Sequence, residues 1–356
     1  MIRRKAYAAI FAVVITGLVA AASLSYRGRT TAAPLSPAAA SELLNLLPAS
    51  DAVAYVDAQR TLSELVPNFF ASDASALARV NQEIDKFREQ TGTDARQFDA
   101  IAAGMRFKQG STQPEYIVGV VRGRFSASEA IANGLAKAKA AAEAKKITGA
   151  QWKEEQYEGT TIYAVERSGG FSLAAMDSNT IVFGDIEGIR SALAARAGRG
   201  ARVDSSLVEL ATLNPSAVAG FAANVPASAV QRIAGSDELG KSLASVRQIY
   251  GSADATQTVG SLSITLRSET GEQAQALAAK LSSLKQLAAF YFSQSDAQTR
   301  GTLSAEPANR SQAQVALRSL PFPRHWVKDV TIAAEGSDVK LRLEEPLAEV
   351  ASVFCR

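Results

Sequence analysis

The first 26 residues combine a basic start with a long uncharged run. Arg3, Arg4 and Lys5 precede residues 6–26, which contain no charged side chain. As a helix rising about 1.5 Å per residue, this run would span about 30 Å, the thickness of a bilayer's hydrocarbon core. In lipid the backbone must satisfy its own hydrogen bonds, so a single helix is the form available. We therefore predict a membrane anchor at 1–26, with the basic end in the cytoplasm.

A cleaved signal peptide is the alternative for the same segment. Signal cores are usually about 7–15 residues long and end at small residues, and Ala20-Ala21-Ala22 offers such a site. We predict a single-pass protein of the inner, cytoplasmic membrane with an extracytoplasmic C-terminal domain. If the segment is cleaved, the protein is instead secreted to the periplasm.

Charge and cysteine content limit the partners and the disulfides that the part of the chain after the predicted anchor can have. The chain has 38 basic and 35 acidic residues, so setting aside Arg3, Arg4 and Lys5 leaves 35 against 35. A neutral domain has no broad electrostatic attraction to nucleic acid, and we predict no nucleic-acid partner. Cys355 is the only cysteine, which excludes an internal disulfide.

The remaining chain divides by composition into a tether and two units. Residues 27–41 are rich in Ala, Ser, Thr and Pro, which is typical of a linker. We predict a first α+β unit at 42–203 and a second at 204–356. In the first unit the pattern predicts strands at 52–57, 98–107 and 116–121, a four-stranded meander at 151–183, and helices at 61–90, 126–146 and 185–197.

The second unit repeats the order of the first. The segment 215–221 resembles 48–56, and each opens a strand that a long helix follows, here predicted at 226–250. A strand at 256–267, a helix at 271–292, strands at 327–334 and 339–343 and a last helix complete the unit. The fold class predicted is thus α+β: two related units, each an antiparallel sheet covered by helices, after an N-terminal transmembrane helix.

Groups that support catalysis are scarce. His325 is the only histidine, and it lies in a proline-rich turn, so a Ser-His-Asp site is disfavoured and a zinc site of histidines and cysteines is excluded by count. No spacing fits a calcium loop or a phosphate-binding glycine motif. We predict no catalytic residue, no metal and no cofactor. Arg190, Arg196, Arg199 and Arg202 form either a phosphate or lipid-headgroup patch or, more simply, a solvated loop.

One apolar group is a candidate contact site. Leu287, Phe290, Tyr291 and Phe292 cluster near the end of the predicted helix 271–292. Adjacent aromatic residues point to more than one face of a helix, so some of them are predicted to contact an apolar ligand or a partner. The simpler interpretation is that they cover the core between helix and sheet.

Several short motifs resemble those of an uncharacterised family of bacterial membrane-anchored envelope proteins. They are Leu47-Pro48, Tyr55-Val56-Asp57, Gly123-Arg124-Phe125, Tyr157-Glu158-Gly159, Ile162-Tyr163, Gly184-Asp185 and Ile189-Arg190. The resemblance covers the first unit and, more faintly, the last sixty residues. It implies a compartment and a style of fold, and it implies no catalytic residue.

Three functions follow as hypotheses. The first is a membrane-tethered, non-enzymatic envelope protein that acts by binding an envelope protein or lipid. The second is a carrier or sensor of an apolar ligand such as a lipid. The third is a carboxylate-based hydrolase, which predicts a cleft where Asp57 or Asp185 lies beside another carboxylate with a perturbed pKa.

Overall fold

The computed structural model describes residues 35–71, 73–111, 113–144, 152–165, 170–226, 238–256, 258–300 and 324–347. The side chains of 238, 291–300 and 324–326 lie outside this description. So do the predicted anchor at 1–26 and, beyond Leu347, the predicted last helix. Among the described residues, no helix has both the length and the apolar composition needed to cross a membrane.

One antiparallel sheet of twelve strands runs through the described part of the chain, in the order β11-β12-β10-β9-β8-β1-β2-β3-β7-β6-β5-β4. The strands are β1 (Ala52–Asp57), β2 (Phe98–Phe107), β3 (Pro114–Gly123), β4 (Trp152–Tyr157), β5 (Thr160–Val165), β6 (Ser172–Ala175), β7 (Thr180–Gly184), β8 (Ala219–Asn224), β9 (Val246–Ala255), β10 (Val259–Ser268), β11 (Thr331–Glu335) and β12 (Asp338–Pro346). With helices on this sheet, the predicted α+β class is confirmed.

The helices flank the sheet and connect its strands. They are α1 (Pro37–Leu44), α2 (Ala58–Arg60), α3 (Val66–Phe69), α4 (Ala74–Thr91), α5 (Ala127–Ala144), α6 (Ile186–Arg196), α7 (Ser205–Ala211), α8 (Glu238–Leu243), α9 (Gly271–Arg300) and α10 (Arg324–Asp329). A π-helical turn at Thr61–Leu65 joins α2 to α3, and a 3₁₀ turn at Ala95–Gln97 leads into β2.

The two predicted units share this sheet through a seam between β1 and β8. The two strands are antiparallel, with Ala52 opposite Ala223 and Val56 opposite Ala219. Away from the seam, the order β1-β2-β3-β7-β6 on one side matches β8-β9-β10-β12-β11 on the other. The first half adds β5 and β4 at its outer edge. The strand order is therefore symmetric about the seam.

A large apolar core lies on one face of the sheet, which we call face A. Face A carries Val53 and Tyr55, and across the paired strands it continues through Val118, Val120 and Val182. Helices α1, α6 and α7 cover it with Leu43, Leu44, Ile189, Leu193 and Leu207, all nearly or fully buried. Three helices thus seal face A over the seam and the first half.

A smaller core lies on the opposite face, face B, in the second half. Leu266 and Val339 are paired across β10 and β12 and lie on this face. Helix α9 packs on them through Ala274, Leu277 and Ala278. Most of the other apolar side chains in this cluster, such as Leu281 and Leu341, are only half-buried. The second half therefore has a thinner core than the first.

Two second-half predictions were wrong in their element type. The helix predicted at 226–250 is replaced, where it is described, by the short α8 and by β9, which starts at Val246. The residues 227–237 lie outside the described part. The strand predicted at 327–334 is instead the end of α10 followed by β11. In β9, hydrogen bonds to β8 and β10 on both sides outweigh a composition with little strand preference.

Two boundaries also differ from the prediction. The helix predicted at 61–90 is interrupted after α3, and Asp73 caps the new helix α4 by accepting a hydrogen bond from the Ala76 N–H at 2.9 Å. Helix α1 begins at Pro37, inside the range 27–41 predicted as a tether, because Ala40, Leu43 and Leu44 are buried against the core.

Candidate functional site

Asp57, one of the two carboxylates predicted for a hydrolase, lies at the end of β1 and is buried. One carboxylate oxygen accepts a hydrogen bond from the Arg60 N–H at 2.8 Å, and the other accepts one from the Leu35 N–H at 2.8 Å. Burial raises the pKa of Asp57, and these two hydrogen bonds oppose that effect. Because both oxygens hold backbone groups, Asp57 fixes the start of α2 and the entry of the chain at Leu35.

A charged pair lies close to Asp57 at the same end of the sheet. Arg60 contacts Asp254 at 3.2 Å and donates to the Ala255 carbonyl at 3.2 Å; it also bonds to the Ser216 carbonyl. Burial, followed by the charges of Asp57 and Asp254, raises the pKa of Tyr55 to about 12. These contacts bind β1, β8 and β9 together where they end, which is a structural role.

Asp185, the second predicted carboxylate, serves the backbone in the same way. Its Oδ2 accepts a hydrogen bond from the Ile117 N–H at 2.7 Å, where β7 leaves β3. Burial raises its pKa, against the effect of this hydrogen bond. No second carboxylate contributes to the shift, so the acidic dyad that the hydrolase hypothesis needs is not formed at Asp185.

An open cleft of about 240 Å³ lies between α6 and the turn of the β2–β3 hairpin. Arg190 is on one wall and donates to Glu155 with two nitrogens at 2.8 and 2.7 Å, and to Glu187 at 2.6 Å. Arg106 is on the other wall, 3.3 Å from Glu115. Each guanidinium already has a carboxylate partner, so an anion entering the cleft would compete with those carboxylates.

Two of the four arginines of the predicted phosphate or headgroup patch, Arg190 and Arg199, are paired with carboxylates. Arg190 is held by Glu155 and Glu187, and Arg199 forms an ion pair with Glu158. Arg202 donates to the Ala195 carbonyl at 3.4 Å. The geometry favours the simpler interpretation, a solvated loop with local ion pairs. In the described residues, no group of three or more His, Cys, Asp or Glu side chains is placed to hold a metal ion.

The predicted apolar contact site is on the surface of α9. Leu287 is 58% exposed and Phe290 is 61% exposed, while Ala288 between them is buried. Leu284, three residues before Leu287 in the same helix, is 43% exposed. The side chains of Tyr291 and Phe292 lie outside the described residues. We call Leu284, Leu287 and Phe290, the exposed large apolar residues of α9 in the described part, the α9 stripe.

The α9 stripe winds away from the core side of the helix. Its members are three residues apart, so each successive side chain is rotated by about 60° from the last. The core-facing residues Ala274, Leu277 and Ala278 precede the stripe in α9. Lys285, within the stripe, donates to the Val330 carbonyl at 2.7 Å, which places this part of α9 beside the start of β11.

Four further large apolar residues of the described part are exposed: Phe87, Phe171, Leu213 and Val259. Leu213, in the loop before β8, is 66% exposed, and Val259, the first residue of β10, is 37% exposed. Isolated apolar residues in loops give no periodic signal, so the sequence alone does not mark them.

Comparison with known proteins gives distant structural similarity only. No family model matches the chain, and no curated protein matches it significantly. Solved structures of TP0453 resemble it. Crystal form III has a TM-score of 0.41 and 11% sequence identity, and the match covers 87% of this chain and 96% of that chain. Crystal form I has a TM-score of 0.40 and 11% identity, with 88% of this chain and 96% of that chain covered. Crystal form IV gives 0.42 and 12% over 88% and 96%. These values are too low to assign the chain to a family.

Proposed function

We propose that this chain is a membrane-tethered, extracytoplasmic protein of the bacterial envelope that acts by binding rather than by catalysis. The tether is the uncharged segment 1–26, and the body is the α+β fold. The resemblance to membrane-anchored envelope proteins supports the same compartment. The observation that carries the binding role is the exposure of the α9 stripe, because neighbouring large apolar side chains on the surface are typical of contact surfaces.

The state of the acidic and basic groups supports binding over hydrolysis. Asp57 and Asp185 each hold backbone N–H groups, and Arg190 is occupied by two glutamates. A general acid or base has to be within reach of a substrate proton. Catalysis at these residues would require breaking contacts that hold the fold.

Site-specific crosslinking in intact cells tests the proposal. A photoreactive amino acid at Leu287 is expected to give discrete adducts in the membrane fraction. The matched control is Ala276, an exposed residue of the same helix outside the stripe. Equal labelling at both positions, or full-length chain in the soluble cytosolic fraction, contradicts the proposal.

An apolar-ligand carrier is the second hypothesis, and the described clefts give it little support. The cleft beside α6 is lined by the charged residues Arg106, Glu187 and Arg190, and a second cleft, on α4, is lined by Asp85, Lys86 and Glu89. A carrier normally encloses its ligand in a mostly apolar cavity. Native mass spectrometry of the purified chain tests this alternative through a co-purified lipid of defined mass.

A further inference from the structure

We propose that the end of the sheet near Asp57 lies against the bilayer, with Leu213, Leu287 and Phe290 in the lipid headgroup region. This inference rests on the proposed function, since it uses the membrane anchor, and it names the partner of the α9 stripe as lipid. We call this end, which comprises Asp57, the 212–218 loop, Thr256, Thr258 and Leu347, the Asp57 end.

The Asp57 end is a continuous surface, because hydrogen bonds join its parts. The Asp57 N–H donates to the Val218 carbonyl at 2.8 Å, and the Leu347 N–H donates to the Thr258 carbonyl at 2.9 Å. Arg60 connects the Ser216 loop to β9 through Asp254. One edge of the molecule therefore includes the ends of β1, β8, β9, β10 and β12.

The tether joins the body at this same end. Leu35 is held there by its hydrogen bond to Asp57. Only residues 27–34 lie between Leu35 and the predicted anchor, and eight residues extend at most about 28 Å. The Asp57 end is therefore confined to within about 28 Å of the bilayer surface. Strand β12 lies four strand spacings from β1, or about 19 Å, so its end is near the membrane as well.

In the second half, the loops of this end differ in composition from the opposite end, although Arg60 and Asp254 form an ion pair here as well. Residues 212–218 and 256–262 contain no charged side chain. The opposite end of the second half carries ion pairs between Arg247 and Glu269, between Arg267 and Asp338, and between Lys340 and Glu335. Uncharged loops enter the interfacial region at lower cost than charged loops, which favour water.

Seven large apolar residues of the described part are exposed; Phe87 and Phe171 lie in the first half, and the other five lie in the second. In the second half, Leu213 lies in the 212–218 loop and Val259 begins β10 at the Asp57 end. Helix α9 starts beside Gly336 at the opposite end and reaches Val330, before β11, at Lys285, so the α9 stripe lies on the part of the helix that runs towards the Asp57 end. Lys285 lies within the span of the stripe on α9, and Asp329 and Lys328 precede the Val330 carbonyl that it contacts. Leucine and phenylalanine with lysine on the same helix are typical of segments that lie in an anionic membrane surface.

Depth measurements on the full-length chain test this inference. The chain with Cys355→Ser is reconstituted in vesicles of phosphatidylethanolamine and phosphatidylglycerol, and single cysteines are labelled with an environment-sensitive fluorophore. The test variants are Leu287→Cys and Leu213→Cys. The control is Lys108→Cys, an exposed residue in the turn between β2 and β3 at the charged end.

We expect blue-shifted emission at positions 287 and 213, and we expect brominated lipids to quench most of that emission. Neither effect is expected at position 108. Emission at 287 and 213 that matches position 108 overturns the inference. If the fluorophores are protected from iodide in the water but are not quenched by brominated lipid, a second copy or a protein partner covers the stripe. That result also overturns the inference. A chain that fails to float with the vesicles contradicts the proposed anchor itself, which separates the two failures.

Discussion

The two halves of the sheet are held together in different ways. In the first half, α1, α6 and α7 seal face A over a large cluster of fully buried side chains. In the second half, α9 covers face B over a small cluster in which most apolar side chains are half-buried. There, hydrogen-bonded polar side chains continue across four strands, from Asn224 through Gln248 and Arg267 to Asp338.

The difference shows how a wide sheet compensates for a thin core. Arg267 donates to both carboxylate oxygens of Asp338 at 2.8 and 3.0 Å, and Tyr250 donates to the same carboxylate at 2.8 Å. Charge-assisted, bidentate bonds of this kind are stronger than neutral ones. The first half depends on apolar burial, and the second depends more on cross-strand polar pairs. The α9 stripe, our proposed contact surface, belongs to the second half.

The largest expected effect is on the two cores. Leu44→Ala in the first half should lower the free energy of unfolding by about 4 kcal/mol, and Leu277→Ala in the second by about 2–3 kcal/mol. Both leucines are fully buried, but the half-buried surroundings of Leu277 can collapse more easily into the cavity. Denaturant unfolding of the full-length chain measures both. Equal losses would contradict the difference between the cores.

The next largest effect concerns the polar pairs of the second half. Asp338→Asn should cost about 1–2 kcal/mol at pH 7, because it weakens a charge-assisted contact on a largely buried carboxylate. The matched control is Lys340→Gln on the same strand, whose partner Glu335 is exposed; its cost should be within about 0.5 kcal/mol.

The pH dependence of this variant has a definite sign. Hydrogen bonds from Arg267 lower the pKa of Asp338 in the folded chain. Its contribution is therefore present above the unfolded pKa of about 3.9, and it is lost as the pH falls through the folded pKa. The gap between wild type and Asp338→Asn should close in acid. A gap that stays constant at low pH would contradict the assignment.

A smaller effect of opposite sign is expected at Asp185 in the first half. Burial raises its pKa, so the folded chain binds the proton more readily than the unfolded one, and the charged form is unfavourable at neutral pH. Asp185→Asn keeps an acceptor oxygen for the Ile117 N–H and should change stability at pH 7 by no more than about 1 kcal/mol. In wild type, protonation of Asp185 should raise the free energy of unfolding as the pH falls through the raised pKa towards about 3.9. Asp185→Asn should lack this gain. Unfolding at several pH values checks this, and an unchanged gain would contradict it.

The smallest effect is expected at the cleft of the first half. Glu155→Gln should lower stability by about 0.5 kcal/mol, because Arg190 is partly exposed and keeps Glu187 as a partner. Thermal denaturation of Glu155→Gln, compared with that of Glu187→Gln, measures this loss of stability. A loss as large as that of Asp338→Asn would show that the first half also depends on polar pairs.

Most of the first half could be predicted because its signals are local. The hairpin of β2 and β3 has long apolar strands on either side of a polar turn, and the meander is marked by turns such as Glu158-Gly159, where both residues have positive φ. Gly184, with φ of 132°, leaves no room for a Cβ against the Ile117 carbonyl. These features depend on near neighbours in sequence.

The second half was harder because its signals are not local. Strand β9 contains Gly251, Ser252 and Asp254, and its pairing with β8 and β10 determines its conformation. The sequence identified Leu287 and Phe290 as a group, but their exposure depends on where α9 ends its contact with the sheet. Leu213 and Val259 join the surface only through the order of the strands.

The β1–β8 seam has a consequence for how the molecule assembles. Ala52 and its partner Ala223 are 171 positions apart, since 223 minus 52 is 171. During synthesis, which starts at the N-terminus, β1 can pair with β2 once both strands have been made. The other edge of β1 keeps unpaired backbone groups until β8, which ends at residue 224, has also been made. Such an edge can recruit a strand from another molecule, and a contact of this range closes slowly. Correct biogenesis therefore depends on shielding β1 throughout the synthesis of the entire first half.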